Sequence, residues 1–151
     1  MTLKMRIGIF IIVTLLVSLC MLYSSEKSLF EKLNVNYLNI YTGSKINDYE
    51  TILSGNGYYF ICSVDDYRNL NLEIDGISFE TNLSPEEIFK KLNIRIQSQQ
   101  QLQLENPIEI YYCYIEGVNR SVFIENKKVN LQIAYDGEKT ILGLPLILGS
   151  Y

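Results

Sequence analysis

Apolar positions recur along this chain with two different periods, and the switch between them sets the predicted elements. From Ser24 to Asn34 the spacing is helical, with Leu29, Phe30 and Leu33 on one side. Val35–Thr42 then reads as extended. The Gly- and Ser-rich stretch 43–57 reads as a loop, with a helical turn expected near Tyr49–Leu53. Tyr58–Val64 is a compact β-rich run. Leu70, Leu72 and Ile74 alternate with polar residues, Asp75-Gly76 supplies a two-residue turn, and Ile77 and Phe79 resume the alternation, which predicts a hairpin.

The second helix has the clearest start. Ser84-Pro85-Glu86-Glu87 places an N-cap Ser, Pro at the first helical position and Glu at the third, and Ile88, Phe89 and Leu92 form the apolar stripe. After Asn93 the period falls to two: Ile94, Ile96, Leu102 and Leu104 take even positions, while Arg95, Gln97, Gln99, Gln101 and Gln103 take odd ones. That predicts a strand in spite of the glutamines. Further strands follow at Ile108–Ile115, Ser121–Glu125 and Val129–Tyr135, with tight turns at Asn126–Lys127 and Asp136-Gly137. Thr140–Leu148 closes the domain and bends at Gly143 and Pro145.

Two helix ends read alike, Leu29-Phe-Glu-Lys-Leu-Asn-Val35 and Ile88-Phe-Lys-Lys-Leu-Asn-Ile94. After each come an extended segment, an aromatic run holding a cysteine (Cys62, Cys113), and a segment opening on arginine (Arg68, Arg120). Phe30 and Phe89 stand 59 apart, whereas Cys62 and Cys113 stand 51 apart, so a length difference falls in the Gly/Ser loop. The expected fold class is α+β: a curved antiparallel sheet from two pseudo-repeats, roughly 28–82 and 84–148, with helices on one face. Residues 24–151 form this single domain.

Composition changes the picture mainly at the N-terminus. Lys4 and Arg6 precede Ile7–Tyr23, a run without charge, so residues 1–23 are expected to be a signal peptide or membrane anchor. Ser18 and Cys20 suit cleavage, the length suits an uncleaved span, and Leu19 before Cys20 suits a lipoprotein less well. Each alternative places the domain outside the cytoplasm, membrane-anchored or secreted. Setting Lys4 and Arg6 aside leaves 11 basic against 17 acidic residues, a net −6 that opposes nucleic acid and anionic lipid. Cys62 and Cys113 could pair in an exported domain, although both sit in apolar strands, where buried free thiols are the plainer expectation.

Catalysis has no visible carrier. There is no His among 151 residues, which removes the commonest general base and metal ligand. Ser24-x-x-Lys27 lacks the partner motifs of a penicillin-recognising site. Asp65, Asp66, Glu73 and Asp75 match no Ca²⁺ loop and read as solvated strand-end acids. No cofactor or metal is expected. With Phe60, Cys62, Val64, Tyr111, Cys113 and Ile115 turned towards the helices, Tyr59, Tyr112 and Tyr114 face away, joined by Phe123, Asn130 and Gln132. A sheet face of Tyr with Asn and Gln suits an envelope protein, a peptide or a glycan. A covering loop or a second copy is the plainer occupant of that face. The expected function is a non-catalytic binding or assembly module of the cell envelope, held to the membrane through residues 7–23 if they stay uncleaved. The alternative is an envelope hydrolase using carboxylates such as Asp65 or Asp66 with Tyr.

Val129-Asn-Leu-Gln-Ile-Ala134, Thr140-Ile-Leu-Gly-Leu-Pro-Leu-Ile147 and terminal Tyr151 together resemble the closing stretch of the YwmB-like family, exported proteins of spore-forming Gram-positive bacteria. The resemblance implies a TATA-box-binding-protein-like fold, a duplicated curved sheet backed by helices, and it implies no activity or functional residue. A DNA-binding saddle needs a cationic rim, which this acidic domain does not offer.

Overall fold

The structure is a computed structural model, and it describes residues 11–14, 26, 28–103 and 106–148. Residues 11–14 are helical; the rest of the apolar run 7–23 lies outside the described residues. Among the described residues no helix is long and apolar enough to cross a membrane.

The chain is α+β, with few helices and one large antiparallel sheet. Helix α1 (28–32) leads into β1 (Tyr37–Thr42), followed by β2 (Ile52–Ser54), β3 (Gly57–Ser63), α2 (Val64–Tyr67) and β4 (Gly76–Thr81). Helix α3 (Pro85–Lys91) leads into β5 (Ile94–Leu102), then β6 (Ile108–Ile115), the ribbon β7 (Val122–Ile124) and β8 (Lys127–Val129), β9 (Leu131–Tyr135) and β10 (Thr140–Leu144). Eight strands form the sheet in the order β2-β3-β1-β4-β10-β9-β6-β5, and β7 and β8 pair by themselves.

One face of this sheet carries the core. Leu38, Ile40, Phe60, Ile77, Phe79, Ile133 and Leu142 are buried with Phe30, Leu33, Ile88 and Leu92 from the helices. Phe30 stands edge-on to Phe79 and to Tyr67, with ring centroids 5.5 Å and 5.9 Å apart. Such contacts add about 0.5–1.5 kcal/mol beyond area burial. The capping box at α3 forms as the sequence predicts. Ser84 N–H donates to Glu87 Oε2 at 2.8 Å, and Glu87 N–H donates to Ser84 Oγ at 3.4 Å. The glutamine-rich segment is a strand, as its period of two predicts, with a bulge between Ile96 and Ser98.

Several local expectations differ from the structure: the expected strand Val129–Tyr135 is interrupted at Asn130, between β8 and β9, and β10 stops at Leu144, short of the expected Leu148. Leu70, Leu72 and Ile74 pack on the core, but 70–75 is a loop and Asp75-Gly76 is not a hairpin turn. Their alternation reports one apolar side, and a strand also needs a ladder; both sides of β1 are taken by β3 and β4. Instead of a helical turn near 49–53, Ile52–Ser54 forms β2, hairpinned to β3 through Gly55 at φ 59°. The later tight turn falls at Glu125–Asn126, both at positive φ (49° and 64°), one residue earlier than expected. Both central residues at positive φ give the twist that suits a two-residue hairpin.

The halves share their opening. In each, a helix runs into a strand that pairs with the cysteine-bearing strand, Leu38 opposite Cys62 and Ile96 opposite Cys113. They then diverge: β4 lies beside β1, whereas β9 lies beside β6 and not beside β5.

Candidate functional site

The face opposite the helices is crossed by the chain's own C-terminal segment. After β10 the Leu144–Pro145 bond is cis, and residues 145–148 fold back over the sheet centre. Glycines let them approach. A Cβ on Gly143 would overlap Ile147 N and the Leu146 carbonyl carbon, and one on Gly76 would lie 2.7 Å from Leu148 Cδ1. Gln132 Oε1 accepts from Ile147 N–H at 2.9 Å, which ties this strap down. Beneath it Ser78, opposite Gly143 in the register, is buried.

This strap divides the expected Tyr-bearing face. Tyr59 is on β3, and Tyr112 and Tyr114 are on β6, five strand steps away, about 24 Å at about 4.8 Å per step. All three are half-buried, but they form no single surface. Tyr59 stacks obliquely on Tyr41, centroids 5.7 Å apart, beside exposed Tyr37, Ile52 and Ile61. On the other flank Lys128 Nζ lies 5.5 Å from the centre of the Tyr114 ring. Phe123, 73 % exposed, is directly opposite Lys128 in the ribbon and so shares its face.

Asn130 and Gln132 do not lie open on that face. Both are buried, and Gln132 holds the strap. Asn130 Oδ1 accepts from Ile115 N–H at 2.8 Å, and its Nδ2 donates to the carbonyls of Ile115 at 2.7 Å and Val118 at 2.9 Å. It fastens the end of β6 to the following loop, internal work that a buried amide performs without any ligand.

Asp65 and Asp66 begin α2 on the surface. Ser63 Oγ accepts from Asp66 N–H at 3.0 Å and donates to Asp66 Oδ2 at 2.7 Å, an N-cap arrangement. Cys62 and Cys113 are free and buried on β3 and β6. At about 24 Å across the sheet they are far beyond the roughly 7 Å Cα limit for a disulfide. Burial pushes the thiol pKa up, to about 11 at Cys62 with help from Asp66, and to about 12 at Cys113. Thiols held protonated in this way are poor nucleophiles. Among the described residues no cluster of three metal-ligating side chains occurs.

What sequence reasoning missed is a cleft of 690 Å³ at the β1–β2–β3 end of the sheet. Its walls are Tyr41, Thr42, Ser54, Asn56, Tyr58 and Asp75, closed on one side by Ile147 and Leu148 from the strap. Gly57 lets the β2–β3 turn lie close to Thr42, since a Cβ there would be 2.8 Å from Thr42 O. The volume falls in the range of small-ligand sites, about 300–1,000 Å³. Among the described lining residues Asp75 is the sole charge, so the cleft favours neutral or cationic ligands rich in hydroxyls or amides. Its sequence signal was the dense Gly, Ser and Asn of 43–57, which read only as loop.

No family model matches the chain, no curated protein matches it, and no solved structure matches it.

Proposed function

We propose that this protein is a non-catalytic, extracytoplasmic binding module of the cell envelope whose ligand seats in the cleft between Tyr41, Tyr58 and Asp75. The cleft is the observation that carries the reading: Tyr41 and Tyr58 border it, and Asp75, Asn56 and Ser54 offer polar groups around it. That chemistry fits a glycan or an uncharged peptide. The extracytoplasmic placement rests on the charge-flanked apolar run 7–23. Membership of the YwmB-like family, with its saddle-like fold, is part of the same proposal and rests on Val129–Ala134, Thr140–Ile147 and Tyr151. For the duplication, the shared helix–strand–strand opening of each half is the support, and the exchanged positions of β4 and β9 confine it to that unit.

The test is titration of the full chain in mild detergent with neutral oligosaccharides and uncharged peptides, followed by heat or fluorescence. Tyr41→Ala or Asp75→Asn should weaken binding at least about tenfold, the equivalent of about 1.4 kcal/mol, while Tyr112→Ser with Tyr114→Ser leaves it unchanged. Equal loss in both sets, or no ligand in either class, would sink the cleft proposal. Protease shaving of intact cells tests the placement, and a domain protected until lysis would refute it.

A further inference from the structure

An eight-stranded open sheet has two edges, and this one guards them unequally. Strand β2 has three residues, too short to template another chain. Strand β5 has nine and pairs only with β6 among the described residues. Proteins ordinarily blunt a long edge with charge, proline, a bulge or a covering segment. The first part of β5 has two such devices. The bulge between Ile96 and Ser98 breaks the ladder, and Lys127 Nζ donates to Gln97 O at 2.8 Å. Beyond the bulge, Ser98–Leu102 keeps an unbroken register with β6, from Ser98 opposite Tyr112 to Leu102 opposite Ile108. Gln99, Gln100, Gln101 and Leu102 are exposed. No charge and no proline occur from Ile96 to Leu104.

We propose that Ser98–Leu102 is a homodimerisation edge, where β5 of a second copy adds antiparallel and joins the two sheets into one. The occupant follows from the chemistry of the strip. A glutamine amide is donor and acceptor at once, so glutamine is complementary to glutamine. A two-fold axis through Gln100 sets Gln99 opposite the partner copy's Gln101, Ser98 opposite Leu102, and Gln100 opposite itself. Opposed residues then share a sheet face, as antiparallel pairing requires. Charge points the same way. The chain carries −4, so two copies repel over most of their surface, and this uncharged strip is where they approach without like-charge contact. A charged peptide finds no ion pair there. Five paired residues form an interface below about 1,200 Å², the class of transient contacts, so the dimer is concentration-dependent.

The experiment is sedimentation equilibrium of the full chain in density-matched detergent over rising concentration. The wild type should shift from monomer to dimer mass. Gln99→Glu with Gln101→Glu sets like charges opposite one another and should weaken the dimer at least tenfold, as should Gln99→Lys with Gln101→Lys. An equimolar mixture of the two variants should restore a heterodimer. These side chains are exposed, so circular dichroism should show both variants folded; should one misfold, Gln100→Arg, which faces itself across the axis, makes the same test. A monomeric wild type, a dimer that both variants retain, or a mixture that fails to reassociate would each overturn the proposal. The cleft titration reads a different end of the sheet, so either proposal can fail alone.

Discussion

Asn130 shows how a residue's chemistry can be legible while its role is not. It alternates with Val129 and Leu131, which places it on the polar side of a half-buried strand, and a polar side suggests solvent or a ligand. Instead its amide meets Ile115 and Val118 through three hydrogen bonds in a buried setting. Asn130→Ala would strand one N–H and two carbonyls away from water, and unsatisfied buried groups cost about 1–3 kcal/mol each. Partial relaxation leaves an expected loss of about 3 kcal/mol, read as a lower urea midpoint with unchanged slope. Asn130→Asp should cost more, since it removes both donors and introduces a buried charge beside two carbonyls. If Asn130→Ala matched the wild-type midpoint, the residue's internal role would be wrong. Gln132 repeats the lesson, because its acceptor is used by a backbone N–H that sequence spacing could not place.

Elements were easiest to read where their signals are local. The α3 start needs only Ser84, Pro85 and Glu87, and its capping box forms accordingly. Ser84→Ala should cost about 1 kcal/mol by removing the acceptor for Glu87 N–H. The hydrogen bonds from Ser84 hold the Glu87 carboxyl pKa below its ordinary value, and those from Lys139 and Glu138 N–H groups do the same at Asp136. Each folded pKa is depressed, so each contribution is fully present above the unfolded carboxyl pKa, about 4, and is lost as pH falls through the folded value. Thermal unfolding measured from pH 6 downward should therefore lose stability in that acid window, and Glu87→Gln with Asp136→Asn should flatten the decline. An equally steep acid limb in the double variant would remove these two groups as its cause. Residues 70–75 depart from the expected strand for a reason of the opposite kind: alternation marks one apolar side, but ladder partners are decided by what else occupies the sheet.

At the scale of the whole molecule the strap decides which surface is free. Residues 145–148 cross the face that sequence patterning assigned to a ligand, split Tyr59 from Tyr112 and Tyr114, and wall the cleft with Ile147 and Leu148. A Cβ at Gly143 collides with the strap backbone, so Gly143→Ala should displace it at a cost of about 1–3 kcal/mol. Amide exchange at Ile147 should quicken while β9 amides stay protected, and ligand binding in the cleft should weaken with it. Unaltered exchange at Ile147 would show that the strap tolerates the methyl. By itself the sequence determined the α+β class, the start of α3, most strands, the turn at Asp136-Gly137 and the acidic, His-free chemistry, because capping, periodicity and composition act within a few residues. Only the tertiary structure decided that β9 sits beside β6, that Cys62 and Cys113 lie a sheet-width apart, and that the tyrosines part into two flanks. Those facts depend on which strands share an edge and where a terminal segment comes to rest, and long-range packing settles both.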